Sequence, residues 1–271
     1  MIKKNIYRGK KKLIQVFLTF KVYLSLKRKY RLSDFAIIGV QKGGTTWLYN
    51  ILSEHPEVFM PFIENTSDPS EVRFYDERLK KGIAWYENLY KKNHNFIKGD
   101  KTPKYYLMPW YKILLIKKIQ PKLNIILVLR CPIHRAWSDA LMNLKRFNNL
   151  DYEDNKNKYR SYLLKKINRG LYYKHLKKWL SVFDKEQIHI VIYEEIVDSP
   201  REYLKDIFRF INLRDFKISQ ETIDRKYNVN PIKPIPSEII SLLKPYFLSD
   251  IENLKMKFPD LSFNKWEIYN S

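Results

Sequence analysis

A glycine-rich turn near the beginning of the chain carries the residues best suited to binding phosphate. The apolar run Phe35–Val40 leads into Lys42, Gly43 and Gly44, and a helical pattern begins at Thr45. Backbone N–H groups in such a turn, together with the N-terminus of the next helix, bind anions. The segment therefore predicts a strand, a phosphate-binding loop and a helix.

This loop differs from the phosphate loop of ATPases. The spacing from Gly39 to Gly44 fits the beginning of the Walker A pattern. However, Thr45 and Thr46 occupy the positions of its Lys-Ser/Thr pair, and the lysine lies inside the loop at Lys42. We therefore expect a loop that binds phosphate but is not arranged like that of an ATPase.

A second candidate anion site follows the most apolar predicted strand. That strand ends in Arg130, at the place where a phosphate-loop NTPase has a magnesium-binding aspartate. A guanidinium here can bind a phosphate through two hydrogen bonds and would repel a metal ion. Pro132 suits the first position of a helix, and Ser138 falls about two turns into it. Arg130 and Ser138 could therefore converge on one anion at the strand ends, which suggests a nucleotide phosphorylated at two distant places.

Strand-like and helix-like patterns alternate along the chain. This alternation predicts an α/β fold, a single domain with a central parallel sheet flanked by helices. We expect a basic leader helix over residues 1–34 and the domain over residues 35–271. The predicted strands are Phe35–Val40, Phe96–Gly99, Leu123–Arg130 and Ile188–Tyr193. The predicted helices are Thr45–Glu54, Gly82–Lys92, Pro109–Ile119, Pro132–Leu144, Tyr159–Phe183, Pro200–Ile211 and Ser237–Phe247. Irregular structure is expected over Pro61–Ser70, Asn148–Lys158 and Tyr227–Pro236.

The composition is that of a soluble protein with a strong basic excess. The net charge is +22, from 51 Lys and Arg against 29 Asp and Glu, which favours polyanionic partners. A compositional bias towards lysine is the alternative explanation. Cys131 is the only cysteine, which excludes an intrachain disulfide and fits a reducing compartment, so we expect a cytoplasmic protein. The five histidines show no ligand-like spacing, and we expect no structural metal.

The leader contains an apolar stretch with basic flanks. Leu13–Leu26 is interrupted by Lys21 and flanked by Lys10–Lys12 and Lys27–Lys29. It is shorter than the roughly 20 apolar residues that span a bilayer. It predicts either an interfacial helix, with peripheral membrane contact through residues 10–30, or a helix that packs on the domain. It lacks a small-residue cleavage site and is not interpreted as a signal peptide.

Two motifs carry a resemblance to a known family. Lys42-x-Gly-Thr-Thr-Trp47 and Arg130-x-Pro-x-x-Arg-x-x-Ser138 resemble the signatures of sulfotransferases that use 3′-phosphoadenosine 5′-phosphosulfate (PAPS). The resemblance extends from about Phe35 to Leu213 and implies the phosphate-loop sulfotransferase fold. Four further segments have the order found in heparan sulfate and related carbohydrate sulfotransferases: Glu71–Asp76, Gly99–Tyr105, Arg169–Tyr173 and Ile192–Ile196.

The chain departs from this family at three places. Cys131 stands where an aspartate is usual after the signature arginine, which affects the capping of the next helix. Arg73 stands where heparan sulfate enzymes commonly have histidine. The basic loop before the last helix matches poorly, so the choice among Arg225, Lys226 and Lys233 as a phosphate ligand stays open.

The resemblance implies a donor site for PAPS, with adenosine 3′,5′-bisphosphate (PAP) as its product. The loop would bind the 5′-phosphosulfate, Arg130 and Ser138 the 3′-phosphate, and Tyr193 the adenine. Trp47 would stack on adenine, although a tryptophan at this helical position could equally belong to the core. The implied donor-binding residues are Lys42, Gly43, Gly44, Thr45, Thr46, Trp47, Arg130, Ser138 and Tyr193.

The resemblance also implies a catalytic group on the acceptor side. Glu71, which opens a strand-like segment, would be the general base, and Lys42 would stabilise charge on the leaving phosphate. Lys101 would hold the acceptor or the sulfuryl group, and Arg73 and Asp76 would line the acceptor cleft. The alternatives are a surface carboxylate for Glu71, a surface lysine for Lys101 and a structural ion pair for Arg73 and Asp76. If Glu71 is not the base, the next residues to test are Asp76 and His134.

These features predict a PAPS-dependent sulfotransferase acting on a hydroxyl or amine of a carbohydrate, glycolipid or similar acceptor. Neither a metal nor a nucleic-acid partner is expected. One alternative is a phosphate-loop kinase or NTPase, against which the missing Gly-Lys-Ser/Thr and strand-end aspartate count. The other is a basic protein that binds polyanions or membrane surfaces, which leaves the two anion sites unexplained.

Overall fold

The computed structural model describes residues 30–91, 95–146, 148–225, 234–266 and 268, and residues 13, 16, 17, 19, 20 and 22 of the leader. In these residues a parallel five-stranded sheet has the order β2-β3-β1-β4-β5. The strands are β1 (Phe35–Gly39), β2 (Val58–Phe59), β3 (Ile97–Lys101), β4 (Asn124–Leu129) and β5 (Ile188–Ile192).

Helices connect these strands and cover both faces of the sheet. The α-helices are α1 (Thr45–Glu54), α2 (Ile83–Asn88), α3 (Trp110–Ile119), α4 (Pro132–Ala140), α5 (Lys156–Lys166), α6 (Tyr172–Leu180), α7 (Tyr193–Asp198), α8 (Pro200–Phe210), α9 (Gln220–Asp224) and α10 (Ser237–Lys257). Two π-helices span Phe74–Arg78 and Leu141–Arg146. Short 3₁₀ turns span Leu79–Lys81, Tyr105–Leu107, Glu153–Asn155, Ile167–Gly170 and Lys185–Gln187.

The central strands are apolar on both faces because each face is covered. Strand β4 shows this most clearly, since Ile126 and Val128 belong to one apolar cluster whereas Ile125 and Leu127 belong to the other. A parallel strand buried on both faces is expected to be almost wholly apolar. The predicted α/β fold with a central parallel sheet is therefore confirmed. Because all five strands run the same way, their carboxyl ends meet at one edge.

The predicted strands differ from the observed ones by one or two residues at their ends, and the strand-like interpretations of Glu71 and Tyr193 were wrong. The segment that begins at Glu71 is not a strand, because Arg73 has a left-handed backbone (φ 54°, ψ 28°) and a π-helix begins at Phe74. Tyr193 does not end β5 but opens α7. Strand β2 was not predicted, since its two residues are too few to show an alternating pattern.

The predicted helix Tyr159–Phe183 was also wrong, because α5 and α6 are separated by a 3₁₀ turn that contains Gly170. A Cβ at Gly170 would lie 2.6 Å from the Phe247 ring, so tertiary packing fixes this break. The predicted loop Asn148–Lys158 already contains the beginning of α5. The last helix extends beyond its predicted end to Lys257.

The leader is described at six helical positions. Thr19 is buried, and Val22 packs against the apolar cluster that contains Ile125 and Leu127. No helix in the described part of the chain is both long enough and apolar enough to cross a membrane. The division of the chain at residue 34 stays a prediction.

Candidate active site

The predicted phosphate loop lies between the end of β1 and the beginning of α1. Val40 N–H donates to the Val128 carbonyl oxygen on β4 (2.8 Å), and Gly43 N–H donates to the Val40 carbonyl oxygen (2.9 Å). Lys42 and Gly44 both have left-handed backbones, with φ of 72° and 88°. A Cβ at Gly43 would lie 2.9 Å from the Val128 oxygen, so the close approach of the loop to β4 requires glycine there.

Helix α1 begins directly after this loop. Its N-cap, Gly44, provides no side-chain hydrogen bond, so the first N–H groups of the helix remain for an anion. Thr45 is buried and Thr46 is half-buried in this first turn. Trp47 donates its indole N–H to the Ile223 carbonyl oxygen on α9 (2.9 Å) and packs against the apolar cluster that contains Ile126 and Val128. The loop and the helix N-terminus thus form a polar concavity beside a partly buried indole.

Arg130 follows β4 and lies against the same loop. Its Nη1 donates to the Lys42 carbonyl oxygen (3.2 Å), and its Cζ lies 4.8 Å from the centroid of the Tyr193 ring. Tyr193 in turn covers Gly44, where a Cβ would lie 2.6 Å from the ring. The structure therefore brings Lys42, Gly44, Arg130 and Tyr193 together.

One N–H group of the Arg130 guanidinium is available to a ligand. Its Nε is buried and has no hydrogen-bond partner among the described residues. A buried, unpaired N–H on a charged group is costly, and an anion in front of it would remove that cost. Ser138 lies half-buried on α4, the helix that begins two residues after Arg130. The donor set at this edge fits a phosphate group.

Helix α4 begins without a cap from its own N-cap residue. The Cys131 side chain does not cap the helix, and the Cys131 N–H donates to Glu194 Oε1 (2.9 Å). Glu194 Oε2 accepts a hydrogen bond from the Trp266 indole (2.9 Å). A carboxylate on α7 therefore supplies the negative charge that a helix N-terminus favours, in place of the aspartate that Cys131 replaces.

Sequence reasoning missed two residues beside the loop. Arg169 Nη1 donates to Gln41 Oε1 (3.0 Å) and to Asp139 Oδ2 (3.2 Å). Asp139 is buried and also accepts from Tyr162 (3.2 Å) and Asn143 (3.1 Å). The only sequence signal was that Arg169 opens one of the ordered family-like segments.

Glu71 lies between two basic side chains near the end of β3. Its Oε1 is 3.9 Å from Lys101 Nζ, and its Oε2 is 3.7 Å from Arg73 Nε. The Glu71 side chain keeps 14% of its surface exposed, enough for an acceptor to reach it. Burial raises the pKa of Glu71 above its ordinary value, and the charge of Lys101 opposes this rise.

Lys101 is buried at the last position of β3, with 1% of its surface exposed. Its ammonium donates to Ser70 Oγ (2.7 Å) and to Asp68 Oδ2 (3.1 Å). Burial would raise the pKa of Asp68, but Lys101 and Ser70 lower it overall. This environment excludes the interpretation of Lys101 as a surface lysine. Asp68 and Ser70 come from the irregular segment before Glu71, and sequence reasoning did not single them out.

Arg73 and Asp76 form an ion pair beside Glu71. Arg73 Nη2 is 2.9 Å from Asp76 Oδ2, and it also contacts Glu77. Asp76 Oδ1 is buried and has no hydrogen-bond partner in the described chain. Burial raises the pKa of Asp76, against the charge of Arg73. Arg73 and Asp76 therefore form the expected ion pair, and Asp76 Oδ1 remains able to accept a further hydrogen bond.

Helix α1 connects the phosphate loop with this carboxylate cluster. Tyr49, one turn into α1, has its ring centroid 5.9 Å from Lys101 Nζ.

Lys42 Nζ lies 3.7 Å from Met142 Sδ, beyond the end of α4. His134 is half-buried on α4. Among the basic residues left open, Arg225 is exposed at the end of α9, whereas Lys226 and Lys233 lie outside the described residues.

No group of three or more His, Cys, Asp or Glu side chains in the described residues could hold a metal ion. The edge of the sheet thus combines an anion-binding loop, a guanidinium with an unsatisfied donor, and a carboxylate between two cations. Such a site can bind a multiply charged nucleotide and accept a proton from a neighbouring group.

Comparison with known proteins gives a consistent family. A family model described as "Sulfotransferase domain" matches residues 32–242. Mouse heparan sulfate glucosamine 3-O-sulfotransferase 3A1 is 29% identical over 213 residues, which are 76% of this chain and 51% of the mouse protein. Human heparan sulfate glucosamine 3-O-sulfotransferase 5 is 29% identical over 211 residues, 69% of this chain and 57% of the human protein. The chain therefore spans little more than half the length of these relatives.

Solved structures show the same fold. A sulfotransferase from Alicyclobacillus acidocaldarius superposes with a TM-score of 0.67 at 22% identity, covering 88% of this chain and 99% of that one. The sulfotransferase domain of the Synechococcus PCC 7002 olefin synthase gives a TM-score of 0.54 at 15% identity, covering 87% and 98%.

Proposed function

Because the chain belongs to the sulfotransferase domain family, we propose that it transfers a sulfuryl group from PAPS to a hydroxyl or amine of a carbohydrate or similar acceptor. One observation carries the proposal. Two anion-binding groups, the loop after β1 and the guanidinium after β4, lie side by side with a half-buried carboxylate near the next strand end. A donor charged at both its 5′ and 3′ positions matches the two groups.

The donor site is assigned from the loop outwards. The backbone of Lys42, Gly43 and Gly44, with Thr45 and Thr46, would hold the 5′-phosphosulfate at the N-terminus of α1. Arg130 and Ser138 would hold the 3′-phosphate. Tyr193 and Trp47 offer aromatic surfaces beside the loop for adenine. The unpaired Arg130 Nε supports this assignment, because it is a buried donor that a phosphate oxygen would satisfy.

When bound, PAPS supplies an activated sulfuryl group. Glu71 then accepts the proton of the acceptor hydroxyl, and burial makes its carboxylate more basic than an exposed one. Lys42, in the loop, neutralises negative charge that develops at the leaving phosphate. Lys101 holds Glu71 near the acceptor and presents a positive charge to the acceptor or sulfuryl group.

The acceptor side comprises Arg73, Asp76 and the irregular segment that carries Asp68 and Ser70. The ion pair between Arg73 and Asp76 has one unsatisfied carboxylate oxygen, which can accept a hydrogen bond from a sugar hydroxyl. The relatives are named for a heparan sulfate glucosamine acceptor, and this supports a carbohydrate or glycolipid acceptor here. Arg73 in place of the histidine common in heparan sulfate enzymes argues for a different acceptor from theirs. No nucleic-acid partner is proposed.

Transfer of ³⁵S from labelled PAPS to a panel of glycans, glycolipids and small alcohols tests the proposal. We expect label in at least one hydroxyl-bearing class, and about 10²- to 10⁴-fold slower labelling with the Glu71→Gln variant. ATP with Mg²⁺ serves as the competing donor. Phosphoryl transfer from ATP, with no transfer from PAPS to any acceptor, would replace the proposal by the kinase function.

We also propose that the leader contacts an anionic membrane surface from the cytoplasmic side. Leu13, Phe17 and Phe20 are helical positions that are 71%, 66% and 60% exposed, whereas Thr19, also a helical position, is buried. The spacing of the exposed residues places them on one helical face, between the basic runs 10–12 and 27–29. An apolar stripe between lysines fits an interfacial helix that binds acidic lipid headgroups.

Vesicle sedimentation tests this contact. The full chain should bind phosphatidylserine-containing vesicles, and the double variant Phe17→Ser, Phe20→Ser should lose most of that binding. Phe62→Ser is the matched control, because Phe62 is 65% exposed elsewhere on the domain. Equal binding of the wild type and the double variant would exclude the leader as the contact.

A further inference from the structure

The segment that carries Glu71 has a conformation that needs external support. Arg73, two residues on, has a left-handed backbone that non-glycine residues rarely adopt. A π-helix follows at once, and this kind of helix is uncommon. The direction of the Glu71 side chain therefore depends on the groups that hold the backbone after it.

Two buried hydroxyls hold this backbone. Arg73 N–H donates to Thr102 Oγ1 (2.9 Å), and Tyr75 N–H donates to the Tyr105 hydroxyl (3.2 Å). Each hydroxyl in turn donates a hydrogen bond to the same carboxylate. Thr102 donates to Asp100 Oδ1 (2.9 Å), and Tyr105 donates to Asp100 Oδ2 (3.2 Å).

The direction of these hydrogen bonds depends on the charge of Asp100. An ionised carboxylate can only accept, so it fixes both hydroxyl protons and leaves their lone pairs for the two backbone N–H groups. A protonated Asp100 would have to donate to one neighbouring hydroxyl. That hydroxyl would then turn its proton away, and the backbone bond that it accepts would weaken. Since Asp100 is 1% exposed, water does not substitute for the carboxylate.

We infer that Asp100 is a positioning residue for the proposed sulfuryl transfer. Its carboxylate holds Arg73 and Tyr75 through the two hydroxyl relays of Thr102 and Tyr105, and it thereby sets the direction in which Glu71 faces the acceptor. The inference rests on the proposed function for its link to turnover. The relay itself is a property of the fold and does not depend on the reaction.

The electrostatics make the relay sensitive to pH near neutrality. Burial raises the pKa of Asp100 to about 7, although hydrogen bonds from Tyr86, Thr102 and Tyr105 oppose the rise and Asp76 adds to it. The titratable groups that face Asp100 from the surrounding elements are Tyr75 and Asp76 of the first π-helix, Tyr86 of α2, Tyr90 just after α2, and Tyr105 of the 3₁₀ turn. The phenols have raised pKa values and remain neutral near pH 7, whereas Asp100 changes charge there.

Activity and stability then depend on pH in opposite directions. Because the folded-state pKa of Asp100 is raised above its unfolded value, its protonated form favours folding, and this stabilisation is lost as pH rises through about 7. The relay requires the ionised form, so turnover should increase over the same range. A residue that only stabilised the fold would not produce opposite trends.

Four variants test the inference. Thr102→Val and Tyr105→Phe each remove one relay, and Asp100→Asn mimics the protonated acid. Tyr90→Phe is the control, because Tyr90 belongs to the same buried cluster but its hydroxyl donates to the Gly99 carbonyl oxygen (3.3 Å). We expect each relay variant to lose roughly tenfold in kcat, the equivalent of about one hydrogen bond, with unchanged PAP affinity. Tyr90→Phe should retain the wild-type kcat.

Two readouts separate the relay from the reaction. The pH profile of kcat should lose its limb near pH 7 in Asp100→Asn, and amide hydrogen exchange over residues 71–76 should accelerate in Asp100→Asn, Thr102→Val and Tyr105→Phe. If Asp100→Asn does not fold, the other two variants still decide the question. Wild-type hydrogen exchange over residues 71–76 together with wild-type kcat in both Thr102→Val and Tyr105→Phe would overturn the inference. Faster exchange in a protein that transfers no sulfuryl group would instead leave the relay standing and reject the proposed function.

Discussion

Replacing Arg130 by alanine should separate the two phosphates of the donor in a binding experiment. The Arg130 Nε is buried without a partner among the described residues, and we propose that it binds the 3′-phosphate. A charge-assisted hydrogen bond contributes about 1.5–3 kcal/mol. The Arg130→Ala variant should therefore bind PAP roughly 10- to 100-fold more weakly than the wild type.

The same substitution also disturbs the phosphate loop. The affinity lost through this disturbance must be separated from the affinity lost with the phosphate contact. Arg130 donates to the Lys42 carbonyl oxygen and lies over the Tyr193 ring, a cation–π contact worth about 0.5–2 kcal/mol. These losses weaken every nucleotide that uses the loop, including AMP, which lacks the 3′-phosphate. The ratio of PAP affinity to AMP affinity removes the shared loss and isolates the phosphate contact.

Isothermal titration of both nucleotides against both proteins gives this ratio. The wild type should strongly prefer PAP, and Arg130→Ala should lose most of the preference. Arg209→Ala is the control for net charge, since Arg209 is 77% exposed and forms a surface ion pair with Asp206. If Arg130→Ala weakens PAP and AMP by the same factor, the guanidinium acts on the loop alone and the 3′-phosphate lies elsewhere.

Further outcomes follow from the same site. Glu71→Gln should lose about 10²- to 10⁴-fold in kcat while PAP affinity changes little. Because burial raises the pKa of Glu71, wild-type turnover should fall with decreasing pH at a higher pH than for an exposed carboxylate, and a pH–rate profile checks this. Turnover should be unchanged by EDTA, since lysine and backbone N–H groups carry the charge that Mg²⁺ carries in kinases; loss with EDTA and recovery with Mg²⁺ would contradict this. Glu194→Ala should lower the free energy of unfolding by about 1–2 kcal/mol in a denaturant titration, because the N-terminus of α4 loses its cap; an unchanged midpoint would mean that water replaces it.

The sequence predicted β1, the loop after it, α1 and β4 well because their signals are local. The phosphate loop is a short apolar run, two glycines and a helix start, all contiguous, and β4 is apolar because both of its faces are covered. Because β1 and β4 are adjacent parallel strands, Arg130 directly after β4 lies beside the loop that follows β1. The cap of α4 is a partial success. The family resemblance indicated that Cys131 stands in place of an aspartate, but the carboxylate found there, Glu194, comes from α7, the helix after β5.

The surroundings of Glu71 were predicted less completely because their contacts are long-range. Asp68 and Ser70 lie in a segment that reads as a polar loop, and their bonds to Lys101 exist only because that loop folds back over β3. Asp100 reads as an ordinary neighbour of Lys101 until the structure places four hydroxyl-bearing residues around it. The left-handed backbone at Arg73 has no signal in the sequence, since arginine does not favour it.

The order of the strands explains why one lysine should affect both binding and turnover. Strand β1 lies between β3 and β4, so the loop after β1 has Lys101 and Glu71 on one side and Arg130 on the other. Arg130→Ala should therefore change binding with little effect on the rate at saturating donor, and Glu71→Gln should change the rate alone. Lys42→Ala should lower both, because Lys42 lies in the loop after β1, the strand between them. Single-turnover transfer measured beside PAP titration checks this pattern, and a Lys42→Ala protein with wild-type turnover at saturating PAPS would move charge stabilisation to Lys101.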